Sequence, residues 1–231
     1  MKDLSIIIPY KYVNPVRDKT FQYIHEYYQE KYPKSEICIG EDTTTTKQFN
    51  CSNAINNGVK QSNGKYVFIV GADTFVPKEY VQKSVKQLKH SHFIIPFGYI
   101  YSLDPYISQR IVSHEDLSLN EIEKHGQKIS IIPGDTHYTP KNSGVQVMEK
   151  TFFNQMNGYD ERFVGWGFED TYFCWRVIKE VGDYPLLREG KIYHLWHHRN
   201  NMKNNREYQR NKKLFHRLGG DLEDFYKSSN I

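Results

Sequence analysis

The sequence predicts an α/β fold with a mostly parallel central sheet flanked by helices and a helical C-terminal tail. Three observations carry this. Short β-branched apolar runs alternate with stretches of helical periodicity over the first ninety residues. The first two runs stop at Pro9 and Gly40, as buried strands do. The intervening stretches repeat apolar residues at helical spacing, with Val81, Val85 and Leu88 at i, i+4 and i+7. Strand–helix alternation of this kind implies right-handed crossovers between parallel strands.

Residues 4–8 form the first strand, and a helix follows Pro15 with Phe21, Ile24 and Tyr28 on one face. Residues 36–39 form the second strand. Phe49, Ala54, Ile55 and Val59 mark the next helix, which closes before Gly64. Residues 66–70 and 92–97 supply two more strands. The polar stretch 101–137 carries weak helical signals at 104–108 and 119–124, and reads as an insertion or loop over a site. Order returns with a strand at 145–148 and a short helix at 151–156. Phe173, Cys174, Val177, Ile178 and Val181 then mark an amphipathic helix opening near Glu169, with Gly182 as its C-terminal cap. Beyond Arg199 the chain is polar, basic and helix-prone.

Composition narrows the function. A 231-residue chain with 38% hydrophobic and 25% charged residues buries a real core. Its net charge of +4 suits anionic ligands but is too mild to imply nucleic acid. Cys38, Cys51 and Cys174 form no CxxC pair, which excludes a zinc ribbon or disulfide framework and favours a reducing compartment. The opening apolar run is too short for a signal peptide, and no segment approaches the roughly 18 apolar residues that span a bilayer. The expected location is cytoplasmic, peripheral to the inner membrane face if the basic tail binds lipid.

In open parallel sheets, ligands bind beyond the carboxyl ends of the strands. Three polar clusters occupy such positions: Pro9–Tyr10–Lys11, Glu41–Asp42 and Gly71–Ala72–Asp73. Acids after strands also serve as helix caps and turn formers, and for Asp42 alone that reading stands level with a ligand role. Asp73, just past a buried run in VFIVGADTFVP, is suited to a divalent cation gripping a diphosphate. In GWGFED, a glycine-rich loop bearing Trp166 precedes Glu169 and Asp170 at a helix start, where the dipole favours ionised acids. Such a carboxylate can take a proton from a hydroxyl nucleophile, and Trp166 can stack on a sugar ring; ordinary helix capping and a core Trp are the alternative. The histidines at 194, 197 and 198 read as a metal site, a surface cluster or packed imidazoles; a metal role would suit Mn²⁺ better than Ca²⁺.

Taken in order, these segments resemble the GT-A glycosyltransferases, especially the β-1,4-galactosyltransferase, chondroitin polymerase and polypeptide N-acetylgalactosaminyltransferase branches. The likeness runs from about residue 4 to 205, with a poorly matched middle. IIIPY followed by KYVNPVRD resembles the family's opening strand and nucleotide-contacting turn, which implies donor contacts from Pro9, Tyr10, Lys11 and Arg17. GED is similar to the acidic turn that meets uracil and ribose, at Glu41 and Asp42, and FNCSNAINNGV to the helix flanking the nucleotide, with Phe49 at its start. GAD sits where the family has its DxD metal motif, implying Ala72 and Asp73 at the donor and Asp73 on the metal. GWGFED resembles the WGxED segment, implying Asp170 as general base, Glu169 as acceptor-binding carboxylate and Trp166 and Gly167 at the acceptor. SGV resembles the segment lining the donor–acceptor junction, which adds Ser143 and Gly144. HLWHH resembles the histidine segment that completes the metal site, through His194 or His197. Two positions depart from the pattern. Gly71 replaces the first Asp of DxD, removing one contact to ribose or metal, and Phe168 replaces a common Gly, reshaping the acceptor pocket.

The resemblance implies a GT-A, Rossmann-like single domain over 1–231. Its parts are a nucleotide-sugar half (1–98), an insertion (99–142), an acceptor and catalytic half (143–199) and a basic helical tail (200–231). The implied reaction is inverting transfer of a hexose or N-acetylhexosamine from a UDP-sugar to a carbohydrate or other hydroxyl acceptor, with Mn²⁺ or Mg²⁺, as in polysaccharide biosynthesis. The rivals are a non-catalytic sugar- or nucleotide-binding relative, favoured by Gly71, and a nucleotidyltransferase, which would not need GWGFED. No GxxxxGK[ST] run is present, which argues against a P-loop enzyme.

Overall fold

The computed structural model describes residues 1–132, 135, 144–183, 185–198 and 205–221. Its elements are β1 (Leu4–Pro9), α1 (Pro15–Lys31), β2 (Glu36–Gly40), α2 (Cys51–Gln61), β3 (Tyr66–Ile69), β4 (Thr74–Phe75), α3 (Lys78–Gln87), β5 (Phe93–Ile94), β6 (Tyr99–Leu103), α4 (Pro105–Val112), α5 (Leu119–Lys124), β7 (Gly126–Ser130), β8 (Gln146–Glu149), α6 (Lys150–Gln155), α7 (Glu169–Val181), β9 (Lys191–His194) and α8 (Arg206–Arg217).

The larger sheet has the order β2-β1-β3-β8-β5. β1 lies parallel to both β2 and β3, while β8 runs antiparallel to β3 and β5. The sheet is therefore mostly parallel, as predicted, with one reversed strand. That reversal has no signature in the sequence, because a buried apolar strand reads the same in either direction. Leu4, Ile6, Ile7 and Ile8 are all fully buried, since helices cover both faces and no polar alternation is required. The helix starts are locally encoded: Asn14 accepts from the Arg17 N–H at 3.0 Å, and Asn50 from the Asn53 N–H at 3.0 Å.

A second sheet, β4-β9-β6-β7, draws β6 and β7 from the stretch that the sequence assigns to an insertion or loop. β6 and β7 pair antiparallel, and β6 runs parallel to β9. β7 escapes sequence reading because it is a polar edge strand, GQKIS, with Gln127 and Lys128 exposed. The two weak helical signals become α4 and α5, capped by Asp104 and Ser118. The strand expected over 92–97 contracts to β5 with a single parallel bridge from Ile95 to Leu186. Among the described residues, no helix is long and apolar enough to cross a membrane.

Candidate functional site

Asp73 lies in the short turn between β3 and β4, past the carboxyl end of the strand. Tyr28 on α1 pins the segment beyond it: its hydroxyl donates to the Thr74 carbonyl at 3.3 Å and accepts from the Val76 N–H at 3.1 Å. The β4–β9 ladder pairs Thr74 with His194, and the Leu195 N–H donates to the Asp73 carbonyl at 2.8 Å. This ladder brings the histidine segment to Asp73 across most of the chain's length.

His194 Nε2 lies 3.6 Å from Asp73 Oδ1, and His197 Nε2 lies 3.4 Å from Asp73 Oδ2. The three candidate ligand atoms fall within 4.8 Å of one another. One carboxylate oxygen and two imidazole nitrogens form a donor set that accommodates Mn²⁺ or Mg²⁺, the imidazoles favouring Mn²⁺. His197 Nδ1 lies 3.0 Å from the His198 carbonyl, which can only accept, so Nδ1 carries a proton and Nε2 is the ligand-competent atom. Arg17 Nη1 also reaches Asp73 Oδ2, at 2.9 Å. Burial opposes ionisation of Asp73, but the charges of His194, Arg17 and His197 outweigh it and hold the carboxyl well below the usual range.

Glu169 and Asp170 occupy the first turn of α7, as expected. Burial raises both carboxyls, and the charge of Asp170 raises Glu169 further. Asp170 Oδ1 accepts from the Thr171 N–H at 2.6 Å, while Glu169 Oε2 is buried with no hydrogen-bond partner among the described residues. A Cβ built on Gly144 would stand 4.0 Å from Asp170 Oδ2, so the glycine borders that carboxylate.

Cys51 is the first residue of α2 and feels acids from distant parts of the chain. Burial raises its thiol strongly, and Glu169, Asp170, Asp73 and Asp42, in that order, raise it further. The charges of four acids from three chain segments thus act on the first residue of α2. Cys51 was not singled out from the sequence, and its place at the start of FNCSNAINNGV is the only signal that could have found it.

The other donor candidates divide. Tyr10 stacks on Phe21, with ring centroids 3.8 Å apart, and its hydroxyl donates to Asp18, which binds the turn after β1 to α1. Pro9 ends β1, Ala72 packs partly buried beside Asp73, and Lys11 and Glu41 are exposed. Asp42 acts as a turn former, its oxygens accepting from Thr44 and from the Asn50 N–H at 2.8 Å. Burial works against its ionised form, yet these bonds hold the carboxyl below its ordinary range. The Phe49 carbonyl accepts from the Gly165 N–H at 2.9 Å, tying the start of α2 to the Trp166 loop. Ser143 lies outside the described residues.

The loop at 165–167 is held by contacts from α8; the Gly167 carbonyl accepts from Asn211 at 2.9 Å. Phe168 is buried and packs against Tyr208 and Phe215 of α8.

The sequence model of glycosyl transferase family 2 matches residues 13–151, more than half the chain. The chain belongs to glycosyl transferase family 2. A second model, the N-terminal domain of galactosyltransferase, matches this glycosyltransferase over residues 128–198, which hold GWGFED and the histidine segment. Solved structures place it in the GT-A fold. The catalytic domain of Drosophila β1,4-galactosyltransferase 7, in complex with xylobiose, aligns over 90% of this chain and 79% of its own, at 15% identity and TM-score 0.51. S. aureus TarS 1–349, in complex with UDP-GlcNAc, aligns over 99% of this chain and 70% of its own, at 14% identity and TM-score 0.53. GalNAc-T7 with UDP, GalNAc and Mn²⁺ aligns over 91% of this chain and 47% of its own, at 10% identity and TM-score 0.51. No curated protein sequence matches the chain.

Proposed function

We propose that this family 2 glycosyltransferase is metal-dependent and inverting, moving a hexose or N-acetylhexosamine from a UDP-sugar to an acceptor hydroxyl. The observation that carries this reading is the Asp73–His194–His197 set, whose candidate ligand atoms lie within 4.8 Å of one another, together with the Glu169–Asp170 pair in the first turn of α7. The xylobiose bound by β1,4-galactosyltransferase 7, the UDP-GlcNAc bound by TarS and the UDP and Mn²⁺ bound by GalNAc-T7 agree with it.

Asp73, His194 and His197 would hold Mn²⁺ or Mg²⁺, which would supply positive charge to stabilise a departing diphosphate. Arg17 adds a guanidinium beside the same position. Asp170, made more basic by burial, accepts the acceptor hydroxyl proton as that oxygen bonds to the anomeric carbon. The bond from that carbon to the diphosphate oxygen breaks, and its electron pair leaves with UDP. Glu169 orients the acceptor, Trp166 offers its half-exposed ring as a platform, and Gly144 leaves room beside the base. Residues 1–98 serve the donor and 143–199 the acceptor within one domain. The protein works in the cytoplasm on a surface polysaccharide or similar hydroxyl acceptor, and the exposed cations of α8 favour contact with the inner membrane face.

A panel of UDP-sugars, with Mn²⁺ and with chelator, tests this reading by UDP release. The expected result is hydrolysis of at least one donor that requires the metal and is lost in Asp73→Asn, whose fold survives because Asp73 is a turn ligand. Pyrophosphate release would point to a nucleotidyltransferase, and unchanged Mn²⁺-linked UDP affinity in Asp73→Asn would overturn the metal assignment.

A further inference from the structure

We propose that Asn211 and Glu207 on α8 are positioning residues for the Trp166 loop, so that the C-terminal helix sets the acceptor side of the site. This rests on the glycosyl-transfer reading above. Gly165, Gly167 and Phe168 have φ values of +74°, +99° and +72°, a left-handed backbone that L side chains rarely adopt. A chain so turned cannot pair its own polar groups in a regular ladder, and α8 satisfies them instead.

The Asn211 side-chain amide donates to the Val164 carbonyl at 3.2 Å and to the Gly167 carbonyl at 2.9 Å. Glu207 Oε2 accepts from the Trp166 N–H at 3.2 Å, and the Arg210 guanidinium also donates to the Val164 carbonyl. Tyr208 packs against both Trp166 and Phe168, with ring centroids 5.5 and 5.1 Å apart.

Asn211 is fully buried, on the same helical face as Tyr208 and Phe215. Packing alone would be served better by an aliphatic side chain there, because a buried amide is costly unless its bonds are made. The glycines answer to the same constraint. A Cβ at Gly165 would fall 2.4 Å from Glu207 Oε2, and one at Gly167 would fall 2.8 Å from a Tyr208 ring carbon. The loop runs directly into Glu169 and Asp170, so what fixes its path fixes both the Trp166 ring and the first turn of α7.

The test compares Asn211→Leu, which keeps the branched shape and deletes the amide's hydrogen bonds, with Glu207→Ala and with Glu207→Gln, which retains an accepting oxygen. Trp166 is followed by acrylamide quenching in a Trp175→Phe/Trp196→Phe background. Mn²⁺–UDP affinity is measured by calorimetry, and transfer is scored on a panel of p-nitrophenyl glycosides. In Asn211→Leu and Glu207→Ala, Trp166 should become more quenchable and the acceptor KM should rise about tenfold, the scale of losing one or two buried hydrogen bonds. UDP affinity should stay within about twofold, and Glu207→Gln should restore much of the effect on quenching and KM. Unchanged quenching and KM in Asn211→Leu would overturn the proposal, as would UDP affinity falling in step with Tm, the mark of a general loss of stability. If the wild-type protein neither binds UDP nor transfers sugar, the glycosyl-transfer reading fails, while the quenching arm still decides whether α8 holds the loop.

Discussion

Arg17 Nη1 sits 2.9 Å from Asp73 Oδ2, the same carboxylate oxygen that faces His197 Nε2 at 3.4 Å. The guanidinium and a divalent cation cannot share that oxygen at close range, because their like charges repel strongly in a half-buried site. Arg17 is therefore a resident counter-ion that would have to withdraw for a metal to bind there, and its side chain is partly exposed.

Replacing it should separate metal from donor. Arg17→Met is expected to bind Mn²⁺ several-fold more tightly than wild type without nucleotide, and to bind UDP more weakly with Mn²⁺ present. Manganese titration followed by electron paramagnetic resonance, then UDP calorimetry, reads both effects. A Mn²⁺ affinity that is unchanged or reduced would show that Arg17 does not compete for the site.

The adjacent carboxylates should fail differently. Asp170→Asn keeps the size of the side chain but cannot take a proton, so transfer should drop by roughly 10²–10⁴-fold while UDP binding persists. Glu169→Gln should chiefly raise the acceptor KM. Consecutive helical residues point about 100° apart, so the two cannot share one role. Near-normal transfer by Asp170→Asn with collapse in Glu169→Gln would exchange the assignments.

Burial raises Glu169 and Asp170 above ordinary carboxylate values. Between the unfolded and raised folded pKa values the native state binds more protons than the unfolded one, so these groups make stability fall as pH rises through that window. Glu169→Gln should flatten this slope and gain stability relative to wild type on the alkaline side, as read by denaturant melts across pH. Asp73 is shifted the other way, and the stability it contributes is lost only as pH falls through its depressed pKa. Activity should rise with pH along an acid limb set by Asp170, above the usual carboxylate range. Parallel pH–stability curves for wild type and Glu169→Gln would contradict the burial argument.

Arg206, Lys212, Lys213 and Arg217 are exposed on α8, whereas Glu207 and Asn211 face the loop. Removing the helix would strip the loop of its contacts, so the surface charge is better tested by substitution. Lys212→Ser/Lys213→Ser/Arg217→Ser should weaken binding to phosphatidylglycerol vesicles by about 1 kcal/mol per cation at low salt. The difference should vanish near 1 M salt, where the screening length is about 3 Å. Equal vesicle binding by the variant at low salt would leave these cations as a solvated face.

What the sequence determined by itself is local. Buried strands announce themselves as apolar runs, helix starts as Asn14–Pro15 and Asn50, and the end of α7 as Gly182, because burial and capping act within a few residues. Asp73 after β3 and Glu169–Asp170 at the head of α7 were legible for the same reason. Pairing was not legible. Nothing in an apolar run states its partner, so the reversal of β8 and the second sheet appear only in three dimensions. The β4–β9 ladder alone carries His194 to Asp73, and packing alone places the helix-prone tail so that its Asn211 holds the Trp166 loop. Periodicity records how deeply a residue is buried; which distant side chain buries it is decided by the fold.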